Sequence, residues 1–159
     1  FLTGFSNGAR MVYHILCRAP QGITAAAPLG ATRDMSGCAD SRVPLLHIHG
    51  TEDDASPAMG GTLSGLGKGI GYISPAPEVV AAVARRNGCG QAPSRVDMSA
   101  TLGTACDAWC PGSAREAMLC LIDGLGHNWP GTPDGMAMFG PYRPGLDATA
   151  AVMQFLARH

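Results

Sequence analysis

Short apolar runs separated by longer polar, glycine-rich stretches set the pattern of this chain. Phe1-Leu2-Thr3 reads as a strand end, and Gly4 to Gly8 as a turn. From Ala9 to about Arg18 the pattern becomes helical. Met11, His14 and Ile15 fall at i, i+3, i+4, and Pro20 stops the helix. Ile23 to Leu29 is small and apolar with no polar alternation, as in a strand buried on both faces. Gly30 to Arg42 is a polar loop, and Pro44 to His49 is a second buried strand closed by Gly50. Thr51 to Ile73 reads as a long glycine-rich loop. Ser74-Pro75-Ala76-Pro77-Glu78 then predicts a helix start, with Ser74 as cap and prolines in the first turn. That helix runs to about Asn87, where Gly88 ends it. Gln91 to Gly112 is mostly loop, with a short strand around Arg95 to Met98. Arg115 to Ile122 is a strand, and Asp123 to Gly145 a long loop. Leu146 to Arg158 is a final helix with Leu146, Ala150, Met153 and Leu156 on one face. Strands alternating with helices predict an α/β domain: a mostly parallel sheet with flanking helices. One domain over residues 1–159 is expected, without internal repeat or linker.

Composition narrows the class. The chain has 159 residues, 46% hydrophobic and 14% charged, with a net charge of −1. That is too apolar for disorder and lacks the basic footprint of a nucleic-acid binder. No apolar run approaches the ~18 residues of a membrane span. The 22 glycines and 12 prolines suit long ordered loops between short elements. The chain begins at Phe1, inside a segment that reads as a strand, so a fragment lacking its N-terminal part is expected. Six cysteines, an even number, point to disulfides and an oxidising compartment, although sequence alone leaves 15 pairings open.

The chemistry starts at Gly4-Phe5-Ser6-Asn7-Gly8, a G-x-S-x-G turn between a strand and a helix. So tight a turn forces Ser6 into a strained backbone and exposes its Oγ above the sheet edge. Gly4 and Gly8 would remove side chains that clash across it. The N–H of Asn7, at a helix start, can face an oxyanion. A serine nucleophile needs a base and an orienting acid, each on a loop after a strand, in the order Ser, Asp/Glu, His. His49-Gly50-Thr51-Glu52-Asp53-Asp54 and Gly124-Leu125-Gly126-His127-Asn128-Trp129 offer that order. Ser6, Asp53 and His127 are therefore expected to meet at the C-terminal edge of the sheet. His47 and His49 face one side of their strand. With no third ligand at suitable spacing they read as satisfied polar groups, not as a metal site. No cofactor is expected.

These segments resemble the α/β-hydrolase esterases known as polyhydroxybutyrate depolymerases and feruloyl esterases. The resemblance rests on GFSNGA (Gly4 to Ala9), ITAAAPLGA (Ile23 to Ala31), VPLLHIHGTEDDASPAMGG (Val43 to Gly61), RRNGCG (Arg85 to Gly90), GLGHNWPG (Gly124 to Gly131) and the terminal QFLARH. It implies a serine esterase acting through an acyl-enzyme, with nucleophile Ser6, acid Asp53 rather than Asp54, and base His127. The ester substrate would be a polyhydroxyalkanoate or a feruloyl or acetyl ester. Asn7 would be an oxyanion donor, and Trp129 and Phe5 would line the substrate site. Bridges Cys17 to Cys38 and Cys89 to Cys110 follow from the same resemblance, whereas Cys106 and Cys120 have no counterpart there and their pairing stays open. Ala58 stands where the family usually carries an aromatic. The family's strands before the elbow, and the loop giving its second oxyanion donor, have no counterpart in this chain. Secretion is implied, and the oligomeric state is left open. The other readings are a non-catalytic binding domain of the same fold and a serine peptidase.

Overall fold

A computed structural model describes residues 1–38, 42–62, 71–90 and 92–159. It is a mixed α/β structure built on a six-stranded, mostly parallel sheet. The strands are β1 (Leu2–Phe5), β2 (Ala26–Leu29), β3 (Leu45–Gly50), β4 (Gly61–Thr62), β5 (Tyr72–Ile73), β6 (Ser94–Asp97), β7 (Ala105–Trp109) and β8 (Ala117–Ile122). The helices are α1 (Asn7–Arg18), α2 (Ala76–Arg86), α3 (Ser99–Leu102) and α4 (Ala148–Ala157). In the main sheet the order is β1-β2-β3-β8-β7-β6. Neighbours from β1 through β8 run parallel, and the β6–β7 hairpin continues the sheet antiparallel.

Strand alternation sorts the core into two layers. In β3, Leu46 and Ile48 point to the face covered by α4, where they meet Met118, Cys120, Val152 and Phe155. Leu45 points the other way, toward Val12, Tyr13 and Leu16 of α1 and Val79, Val80 and Val83 of α2. His47 and His49 share the parity of Leu45, so they face α1. All six residues of β3 are buried, as a central parallel strand requires.

Several expected elements shift. Helix α1 starts at Asn7, not Ala9, and buries Ala9, Val12, Tyr13 and Leu16, while Met11 is 57% exposed. The stripe that meets the sheet is two residues out of phase with the expected Met11–His14–Ile15 stripe, close to the opposite side of the helix. Helix α4 is likewise rotated. It begins at Ala148, capped by Asp147, whose carboxylate accepts from the Ala150 N–H. It buries Ala148, Ala151, Val152, Phe155 and Leu156, and leaves Met153 60% exposed. In both helices the smaller or aromatic residues fit against the sheet and a methionine goes to solvent. Ser74 does not cap α2; Pro75 holds that position, and the Ser74 carbonyl accepts from Thr32 Oγ1 at 2.7 Å. Gly88 does take the left-handed conformation that ends α2, at φ 82°. In the stretch from Gln91 to Gly112 the expected short strand forms as β6, but the expected loop beyond it also contains α3 and β7, with Gln91 itself outside the described residues. The expected loop from Thr51 to Ile73 contains the β4–β5 ribbon, and its residues 63–70 lie outside the described ones, as do 39–41 of the loop before β3.

Three disulfides fasten the outer elements. Cys17–Cys38 ties the end of α1 to the loop after β2, and Cys89–Cys110 ties the end of α2 to the end of β7. Cys106–Cys120 links adjacent strands: Asp107 pairs with Leu119, so Cys106 and Cys120 stand opposite one another, with Cα atoms 4.5 Å apart. That spacing belongs to the close, non-hydrogen-bonded pairs of an antiparallel ladder. The set fits an oxidising environment. Among the described residues no helix is long and apolar enough to cross a membrane. The chain's last residues fold back on buried Glu116, which accepts from Arg158 Nη2 at 2.8 Å and His159 Nε2 at 3.0 Å.

Candidate active site

The turn at Ser6 carries the strain that its pattern implies. Ser6 sits at φ 57°, ψ −118°, between the end of β1 and the start of α1. A non-glycine residue there costs on the order of 1–3 kcal/mol and persists only where neighbours hold it. Two backbone bonds do so: Ser6 N–H donates to Leu29 O at 2.9 Å, and Ser6 O accepts from Arg10 N at 3.2 Å. The two glycines differ. A Cβ on Gly4 would lie 2.5 Å from the backbone carbon of Gly8, so no side chain fits. A Cβ on Gly8 would meet nothing within 4 Å, which corrects the expectation that both glycines prevent a clash. Asn7 is exposed at the first position of α1, where its N–H has no carbonyl four residues back to bond.

The loops carrying Asp53 and His127 are laced together at the sheet edge. Glu52 N–H donates to Leu125 O at 2.9 Å, and Gly124 N–H to Thr51 Oγ1 at 3.0 Å. A Cβ on Gly50 would fall 2.0 Å from Leu125 O, so the crossing requires glycine. The base loop is held from its far side as well. His127 N–H donates to Phe139 O at 2.7 Å, and Asn128 Nδ2 donates to Gly140 O at 3.1 Å.

Ser6, His127 and Asp53, 121 and 74 residues apart in successive pairs, come together in one chain of contacts. Ser6 Oγ lies 2.7 Å from His127 Nε2, and His127 Nδ1 lies 2.7 Å from Asp53 Oδ2. Asp53 is 3% exposed, whereas Asp54 faces solvent. Burial pushes the Asp53 carboxyl up, but hydrogen bonds from His127 and His49 outweigh it and hold it below the usual carboxylate range. Its other oxygen, Oδ1, accepts the Ser56 N–H at 2.7 Å. A hydroxyl, an imidazole and an ionised carboxylate in this order can deprotonate the hydroxyl as it attacks and hold the resulting imidazolium.

Aromatic rings surround the imidazole. Phe5 has its centroid 4.9 Å from the His127 ring and 6.2 Å from that of Trp129. Trp129 is half-buried, and its Nε1–H donates to Thr149 Oγ1 at 3.2 Å, which ties it to α4. Sequence reasoning missed Phe139, whose ring centroid lies 5.6 Å from that of His127 in an edge-on arrangement. It also missed the Ser56 N–H on Asp53 and the engagement of His49 with that carboxylate. Asp53 and Ser56 stand at i and i+3, a turn signal that could have suggested the first of these. Among the described residues no group of three or more His, Cys, Asp or Glu is arranged to hold a metal ion. No protein-family model, curated protein or solved structure matches this chain.

Proposed function

We propose that the protein is a serine esterase of the α/β-hydrolase kind, cleaving carboxylic esters through an acyl-enzyme. The observation that carries this reading is the unbroken Ser6–His127–Asp53 chain with both contacts at 2.7 Å. Three features support it. The serine occupies a strained strand-to-helix turn. Acid and base follow β3 and β8, in the order of this class. The Asn7 N–H is free to face an oxyanion at the start of α1. In the reaction His127 takes the proton from Ser6 Oγ as the oxygen attacks the ester carbonyl. Asp53 fixes the imidazole tautomer and stabilises the imidazolium. Asn7 N–H stabilises the tetrahedral oxyanion, a contribution worth about 10²–10³ in rate for one donor. The protonated His127 then gives its proton to the leaving alkoxide, and water releases the acyl group by the same steps.

The preference for esters over peptides rests on the resemblance of the elbow, HIHGTED and GHNWPG segments to polyester depolymerases and feruloyl esterases. Phe5 and Trp129 offer the acyl chain an aromatic wall beside the base. The three disulfides support export to an oxidising compartment. A fluorophosphonate probe tests the chemistry directly. It is expected to label Ser6, and short p-nitrophenyl esters are expected to be hydrolysed by the wild type and not by Ser6→Ala. A folded protein left unlabelled would make the chain a binding domain, and peptide cleavage without ester cleavage would make it a peptidase.

A further inference from the structure

Behind the acid lies a buried polar row that the triad mechanism does not use. Tyr13 Oη is 2.9 Å from His47 Nδ1, His47 Nε2 is 3.0 Å from His49 Nδ1, and His49 Nε2 is 2.7 Å from Ser56 O. The same His49 Nε2 lies 3.2 Å from Asp53 Oδ2, the oxygen that also accepts from His127. Tyr13, His47 and His49 are at most 1% exposed. With both imidazoles neutral the row has one consistent direction. A carbonyl oxygen only accepts, so His49 must carry its proton on Nε2. Neutral His49 then accepts at Nδ1, which puts the His47 proton on Nε2. His47 accepts in turn at Nδ1, and the Tyr13 hydroxyl donates.

We propose that His49 is a positioning residue for the triad acid, donating a second hydrogen bond to Asp53 Oδ2 from a tautomer fixed by the Tyr13–His47 row. It touches neither Ser6 nor any reacting atom. Its effect is to share Oδ2 between two imidazoles, which orients the carboxylate and tempers its pull on the His127 proton. The inference rests on the hydrolase reading for its kinetic consequence but not for its geometry. The titratable groups facing His49 are few. His47 belongs to its own strand, Asp53 to the loop beyond, Tyr13 to α1 behind His47, and His127 stands across Asp53. Strand β8 sets Leu119 and Leu121 in register with His47 and His49, and α2 adds valines to the same face.

The test compares His49→Phe, which removes the donor, with His49→Gln, whose amide nitrogen can stand in for Nε2. With p-nitrophenyl acetate from pH 5 to 9, His49→Phe is expected to lower kcat about 10- to 100-fold, the scale of a misplaced catalytic group. KM is expected to stay within about twofold, because the substrate-binding surfaces are untouched. The acid limb of kcat/KM should move to higher pH, since Asp53 then holds the His127 proton more strongly. His49→Gln should restore most of kcat and return the limb toward the wild type. A His49→Phe enzyme with wild-type kcat and limb would overturn the proposal, as would a His49→Gln enzyme no better than His49→Phe.

A readout without turnover separates this from failure of the hydrolase reading. The low-field proton NMR signal between His127 and Asp53 is expected to move in His49→Phe even if no fluorophosphonate label appears; an unmoved signal defeats the positioning role. If His49→Phe does not fold, Tyr13→Phe takes its place. It removes one hydroxyl from the far end of the row and should change the 15N tautomer pattern of His47 and His49 and shift the same proton. Unchanged spectra would refute the row.

Discussion

Asp53→Asn alters little of the shape of the side chain and is expected to silence the site. Oδ1 of Asp53 accepts from the Ser56 N–H, Oδ2 accepts from His127, and His49 Nε2 lies 3.2 Å from the same Oδ2. An amide has one accepting atom and one donating atom, so two orientations compete. With its oxygen on Ser56 N–H, its NH2 faces His127 Nδ1, and His49 keeps its bond to Ser56 O. His127 then accepts at Nδ1 and carries its proton on Nε2, from where it cannot take the Ser6 proton. In the reverse orientation the NH2 opposes the Ser56 N–H, and two buried donors are stranded against each other. A stranded buried donor costs about 1–3 kcal/mol, which favours the first, inactive orientation by about 5- to 150-fold. Orientation alone is therefore expected to lower kcat/KM by about 5- to 150-fold, and a fully retautomerised site by up to about 10⁴, the loss in kcat established for this substitution in a serine-protease triad. Progress curves on p-nitrophenyl acetate measure it, with mass spectrometry confirming that the introduced amide has not deamidated. Asp54→Asn, at an exposed neighbour, is the control and should stay within about twofold of the wild type. An Asp53→Asn enzyme keeping more than about half of wild-type kcat/KM would refute the argument that Asp53 sets the tautomer.

The buried row makes stability pH-dependent in a predictable direction. Burial above all, and then the neighbouring His49, hold His47 well below the ordinary histidine pKa. The unfolded chain takes up that proton near pH 6.5 and the folded one does not. Stability therefore falls by about 1.4 kcal/mol per unit as pH drops below about 6.5. Urea unfolding between pH 5 and 6.5 should show a slope shallower by about that amount in His47→Gln, and equal slopes would contradict the assignment. Replacing Cys106 and Cys120 by alanine opens a loop with a sequence separation of 14. It should cost about 3 kcal/mol in denaturant unfolding; loss of less than about 1 kcal/mol would show that the ladder alone holds β7. Gly50→Ala drives a methyl into the Leu125 carbonyl and should separate the acid and base loops. Reduced fluorophosphonate labelling of Ser6 in still-folded protein is the expected result, and undiminished labelling would show that the crossing tolerates a side chain.

What the sequence revealed and what it hid follow from the range of the physics involved. Pro44 to His49 was legible as a buried strand because every position must be apolar or satisfied when both faces are covered. The elbow was legible because its strain is local to five residues. Strand β7 was not. Its run Ala-Cys-Asp-Ala-Trp alternates buried and half-buried positions with side chains mostly too small to register as hydrophobic. It is a strand because β8 lies beside it, which is a tertiary fact. The register that sets Asp107 against Leu119 also decides which cysteines meet, so Cys106–Cys120 could be recognised only once β7 existed. The helix faces failed for a related reason. Both methionine-containing stripes were apolar enough to be chosen from sequence, yet Met11 and Met153 face water because the sheet offers a surface better matched by Tyr13 and Phe155. His47 and His49 were legible as a same-side pair, but their partners come from a helix and a loop that only the fold brings near.

Strand β3, which leads into the Asp53 loop, divides its side chains by parity. Leu46 and Ile48 join the apolar layer under α4, an association that is strong but without direction. His47 and His49 face α1, the helix that starts at Ser6, and there the contact is directional. Apolar packing alone lets a helix slide or roll on a sheet at little cost; a hydroxyl aimed at one ring nitrogen does not. Tyr13 lies seven residues after Ser6, about two turns along the same rigid helix. Its bond to His47 therefore constrains how far α1 can roll, and with it where Ser6 Oγ stands relative to β3. The other end of the row, His49, meets the carboxylate in the loop that β3 leads into. Ser6 and Asp53 are thus registered to each other twice: through His127 at the sheet edge, and through Tyr13, His47 and His49 beneath it. Two apolar residues in place of the histidines would pack well and spare the desolvation of two imidazoles. They would leave the triad with only the first of those two connections.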